Sequence, residues 1–284
     1  MQDDTQYAAR SLFKGAIPER QDELTTLWNK YSPEFTIKPD SGDDGKLVMQ
    51  AGMYKHIWFN HRVMRSIWFG SFIAWEGYKC VQESIYYDKE PDFAKFNNMI
   101  SNFTEMKEAE NSDEITLPYS IPEPGIYLDG EQNNEYRAAS EMATIATGWA
   151  FLHELKHMML QQEGQSTTIN SSEEKVHAEE YACDEFATRF VIEEINRNTN
   201  VLNLEHLKNK REISIYFALF TMTLLSHDNW EKTNTHPAVQ NRMDRVVKIL
   251  NTSTNGVAGA IGALAFGALI SIWPDTPYPL KQYT

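Results

Sequence analysis

The stretch Gly148-Trp149-Ala150-Phe151-Leu152-His153-Glu154-Leu155-Lys156-His157 constrains this chain more than any other. It sets His153 and His157 four residues apart within a run whose apolar spacing is helical. On a helix that spacing puts both imidazoles on one face, a turn apart, where they can meet a single metal ion from the same side. Glu154 projects toward the same edge without being forced onto the ion, as suits a general base for a water that the ion activates. The chain must therefore supply a buried helix over Glu135–Leu160 and a neighbour that completes the coordination.

A tetrahedral catalytic zinc takes three protein ligands and leaves its fourth position open. The helical pattern stops at Gly164, the polar run Gln165–Ser172 reads as loop, and a second helical pattern carries Glu179 through Ala187. Within it Glu180 and Asp184 stand four apart, again on one face. Glu180 is assigned as the third ligand. Asp184 is assigned as the acceptor for the free ring N–H of a ligating histidine, a contact that fixes tautomer and orientation.

An HExxH followed by an E-x-x-[AC]-D-x-[FY]-A helix, here Glu180 to Ala187, resembles the glutamate zincins (gluzincins), especially the HtpX-like and CaaX-prenyl peptidases. Thr235-His236-Pro237-Ala238-Val239-Gln240-Asn241-Arg242 resembles the H-P-x-x-x-x-R segment of the same families. Cys183, and a long helical first half, are more similar to the phage-exclusion Lit-type peptidases. The resemblance spans about residues 125–250 and has its three motifs in order; the membrane helices that open HtpX-like chains have no counterpart. It implies one zinc per chain on His153, His157 and Glu180, with Glu154 as the catalytic base. It also places His236 and Arg242 along the site. His236 would either stabilise an oxyanion or orient another group, and Arg242 would pair with a carboxylate of the site. An edge strand that receives extended peptide is implied as well, with Pro124–Gly130 as its candidate.

These readings converge on a zinc-dependent endopeptidase acting on an intracellular protein or peptide. The alternative is a catalytically silent zincin-like module that binds or senses, with zinc as a structural staple. A net charge of −14 argues against a nucleic-acid partner, which would want a basic face. Two cysteines form no disulfide framework, and Met1–Thr5 shows no apolar leader, so a cytoplasmic address is the expectation. Gly256–Trp273 carries no charge and reads either as a buried helix or as a C-terminal membrane anchor, which would make the protein membrane-associated.

The expected fold is mainly α (α+β): a zincin-like pair of active-site helices, a small β element and a helical N-terminal part. Residues 1–110 form that N-terminal part and 111–284 the catalytic part, as one compact unit. A short helix is expected over Gln21–Lys30, a strand over Glu34–Lys38 and a helix over Asp92–Glu108. Leu47–Tyr87, rich in aromatic residues at spacings of three and four, reads as one or two buried helices, and Glu212–Ser226 as an apolar helix behind the metal pair.

Overall fold

The computed structural model describes residues 2–40, 46–126, 134–195, 201–250 and 256–279. Two helices, α1 (Gln2–Ala16) and α2 (Gln21–Tyr31), precede a sheet of β1 (Glu34–Lys38), β2 (Met49–Ala51) and β3 (His56–Asn60). The long helix α3 (His61–Tyr87) and α4 (Ala94–Glu108) come next. Then follow α5 (Asn134–Gln162), α6 (Glu173–Ile192), α7 (Val201–Leu225), α8 (Val239–Leu250) and α9 (Val257–Ile272). The class is mainly helical with a small β element, as the sequence pattern implies.

One stretch departs from expectation. Residues 47–87 are not one or two helices but a β-hairpin, β2 to β3, followed by the single helix α3. In β3, Ile57 and Phe59 are buried while Trp58 between them is only half-buried, the period-two pattern of a strand. Asn60 then switches the period: its side-chain oxygen accepts the Val63 N–H at 3.1 Å and caps the first turn of α3.

The sheet runs in the order β1-β3-β2, with β1 parallel and β2 antiparallel to β3, so β2 is an edge strand. Phe35 of β1 and Phe59 of β3 meet Phe151 of α5 edge-on, at centroid distances of 5.4 and 5.1 Å. Phe13 of α1 closes the cluster at 6.2 Å from Phe151. The sheet and α1 are thereby fastened to the helix that carries both histidines. Over Glu123–Ile126, where a substrate strand was expected, the chain turns instead, with the Ile126 N–H donating to the Glu123 carbonyl at 3.0 Å. Residues 127–130 of that expected strand lie outside the described residues. Both β2 and β3 pack on α5, and β2 is the edge strand of the two.

From Ala139 to Leu160, α5 is buried on nearly every side, which a helix tolerates only at the centre of a bundle. Helices α1, α3, α6 and α7 surround it. A Cβ at Gly148 would stand 2.9 Å from Ala16 Cβ, so the glycine admits α1 at close range. Past Gln162 the helix ends in a Schellman turn. Gly164 takes φ +68°, its N–H reaching the Gln161 carbonyl at 3.1 Å and the Gln165 N–H reaching Leu160 at 2.8 Å. That turn returns the chain to α6. The uncharged stretch near the C-terminus folds as α9, packed on α3 and α7. No helix among the described residues is long and apolar enough to cross a membrane.

Candidate metal centre

Helices α5 and α6 run antiparallel where they meet. His153 Nδ1 lies 2.9 Å from Asp184 Oδ1, while His157 Nδ1, one turn further along α5, lies 2.9 Å from Glu179 Oε1, one turn earlier along α6. A carboxylate at each Nδ1 assigns the ring proton there and leaves each Nε2 lone pair pointing inward. The two Nε2 atoms are 3.1 Å apart. Glu180 completes the group, with Oε1 3.1 Å from His157 Nε2 and Oε2 3.5 Å from His153 Nε2. The donor atoms of His153, His157 and Glu180 all lie within 4.8 Å of one another.

Two nitrogen lone pairs facing each other at 3.1 Å repel unless a cation lies between them. Glu180 Oε2 is buried and accepts no hydrogen bond, an acceptor whose desolvation is otherwise uncompensated. Two neutral imidazole nitrogens and one carboxylate suit a zinc ion with one position left over, so the residues fit such a group. Without a metal the same geometry traps a proton. Burial opposes charging His153, but the Asp184 and Glu180 carboxylates raise it to about 9. His157 is raised too: burial is outweighed by Cys183, Glu179 and Glu180. Conversely, despite burial, the imidazoles hold Glu180 well below the usual carboxylate range.

Glu154 sits next to this group and is buried. Its Oε2 accepts the Ala51 N–H of β2 at 2.7 Å. Burial pushes its carboxyl up, against the pull of the two imidazoles and of that N–H. A raised carboxyl suits a group that must take a proton and later give it back. Asp184 is gripped from the other side by Arg242 of α8, whose Nε and Nη2 reach its two oxygens at 2.8 and 2.7 Å. Arg242 Nη1 also lies 3.6 Å from Glu180 Oε2. One guanidinium therefore braces Asp184 in the bidentate manner that a planar fork allows and sets its third nitrogen beside Glu180.

The centre opens into a cleft of about 620 Å³. His236 lines it from the loop before α8, its Nδ1 engaged by Thr235 Oγ1 at 2.9 Å. All seven residues singled out in the sequence thus border one site: His153, His157, Glu180, Asp184 and Arg242 by direct contact, Glu154 and His236 along its wall. Sequence reasoning missed Glu179 and Ala51. Glu179 had a partial signal: if α6 runs antiparallel to α5 and Asp184 orients His153, acids on the preceding turn of α6 are placed to reach His157, and Glu179 stands there beside Glu180. Ala51 had no such signal, because its approach to Glu154 depends on a pairing 103 residues apart in the chain.

Comparison with known proteins supplies the class: the chain is a peptidase. It belongs to the Peptidase U49 family, which its residues 57–262 match. That span holds every imidazole, carboxylate and guanidinium of the centre, while Ala51 lies just before it. The chain is similar to the cell death peptidase of Escherichia coli (strain K12), with 23% identity over 244 residues, covering 80% of this chain and 74% of that relative. The match agrees with the resemblance to Lit-type peptidases seen in the motifs. No solved structure matches the chain.

Proposed function

We propose that this peptidase is a zinc-dependent endopeptidase, with His153, His157 and Glu180 holding the ion and Glu154 as its general base. The observation that carries the reading is the convergence of three donor atoms within 4.8 Å beside a buried acid that touches none of them by hydrogen bond. When bound, zinc would lower the pKa of a water toward neutrality and polarise the scissile carbonyl. Glu154 takes the proton of the attacking water and returns it to the leaving amine, its other oxygen steadied by the Ala51 N–H. Asp184 and Arg242 keep His153 in the tautomer that offers Nε2 inward. His236, on the cleft wall, donates to the developing oxyanion or orients the group that does.

Substrate binding follows from the edge strand. Val48 and Gly52 form their hydrogen bonds with β3, so by alternation the main-chain groups of Met49 and Ala51 face the other way, the Ala51 N–H toward Glu154 and the Met49 groups and Ala51 carbonyl left for a further strand. That edge borders the cleft. An extended peptide laid along β2 would have its main chain held there without heavy demands on its side chains. The relative is named a cell death peptidase; the protein target in the same cell, the cytoplasmic address and the phage-exclusion role proposed here rest on the resemblance of the motifs to Lit-type peptidases.

The test pairs metal content with cleavage. Glu154→Gln should bind zinc as the wild type does and lose turnover about 10²–10⁴-fold. N-terminal mapping of proteins in cells expressing either form would reveal the target. Cleavage by the variant at the wild-type rate would overturn the role of Glu154.

A further inference from the structure

The two histidines are oriented by acids with different second duties. Asp184 is 1% exposed and clamped by the buried Arg242, so its position is set by the core of α6 and α8. Glu179 is held instead by a surface loop. Its Oε1 accepts from His157 Nδ1 at 2.9 Å and from Ser166 Oγ at 3.0 Å, and its Oε2 accepts the Thr167 N–H. The loop is exposed beyond the contact: Ile169 at its tip is 98% exposed, with the Thr168–Ser171 turn beside it, while Thr167 lines the cleft. One carboxylate thus serves both a histidine of the centre and the backbone of a segment that borders the cleft.

From this sharing we infer that Glu179 is a positioning residue through which the conformation of the Gln165–Ser171 loop sets the orientation, and hence the metal affinity, of His157. The inference rests on the metal-site reading above and goes beyond it, by making one of the two imidazoles adjustable from the surface. When the loop holds Glu179, His157 keeps its proton on Nδ1 and presents Nε2 inward. When the loop lets go, Glu179 loses two of its three donors and the ring loses its fixed partner. His153 has no comparable route to solvent, because Arg242 closes the far side of Asp184.

The experiment is a double-mutant cycle read by zinc affinity, using competition with a chromophoric chelator on the full chain. Glu179→Gln should weaken zinc about 10–100-fold, the range for partners of ligating histidines. Ser166→Ala, which does not touch the ion, should weaken it several-fold in the wild-type background and have no effect in the Glu179→Gln background. Equal effects of Ser166→Ala in both backgrounds would overturn the coupling, as would an unchanged affinity in Glu179→Gln. If Glu179→Gln does not fold, an unchanged affinity in Ser166→Ala alone overturns it. Wild-type protein that binds no stoichiometric zinc would instead sink the metal-site reading, a different outcome from either of these.

Discussion

A carboxylate 2.9 Å from each Nδ1 governs how the metal-free protein titrates. His153, raised from 6.5 to about 9 by Asp184 and Glu180 against the cost of burial, adds stability in full below pH 6.5. That contribution disappears as pH climbs through 9. Glu179, lowered from 4.5 to about 2, acts in the opposite sense: its contribution is present above pH 4.5 and is lost as pH falls through 2. Metal-free protein should therefore resist urea best between pH 4.5 and 6.5 as far as these two groups decide it, and weaken between 6.5 and 9. Zinc must displace the proton trapped between the two Nε2 atoms. Calorimetry in buffers of different ionisation heat should show net proton release on zinc binding at pH 7. A heat independent of buffer would contradict the facing lone pairs.

Among the elements, the pair α5–α6 was legible in the sequence because its signal is local. Histidines four apart on one helix and acids four apart on the next require no knowledge of the rest of the fold. The hairpin was not legible. Tyr54, Trp58 and Phe59 recur at spacings that also suit a helix, and β2 has only three residues, too few to show a period. Its role depends on Ala51 reaching Glu154 across the chain, which no window reveals. The substrate strand was accordingly sought at 124–130, nearer in sequence to α5, where the chain turns. In α9 the small residues answer a question that hydropathy left open. A Cβ at Gly262 would press on the Tyr216 ring at 2.8 Å, whereas one at Gly267 would meet nothing within 4 Å. Gly262→Ala should cost about 1–3 kcal/mol by overpacking. Gly267→Ala should instead stabilise by about 0.5–1 kcal/mol through helix propensity. Chemical denaturation of the two variants reads the contrast directly; equal effects would mean that α9 does not pack as described.

For the whole molecule, the centre is as rigid as the scaffold that holds α5 in place. Phe151 points away from the imidazoles into Phe13, Phe35 and Phe59, joining α1 and the sheet to the histidine helix. Phe151→Ala should cost about 3–5 kcal/mol of stability, measured by denaturant unfolding. Zinc stoichiometry of the folded fraction should not change, since no donor is touched. A loss under 1 kcal/mol would mean that the cluster does not brace the helix. All of this serves one centre, and X-ray absorption at the zinc edge of the purified, zinc-loaded protein tests it most directly. The account predicts two imidazole nitrogens, one carboxylate and a light oxygen ligand at distances of about 2.0–2.2 Å, with the carboxylate contribution lost in Glu180→Ala. A sulfur shell at about 2.3 Å, or a spectrum unchanged by that substitution, would contradict it.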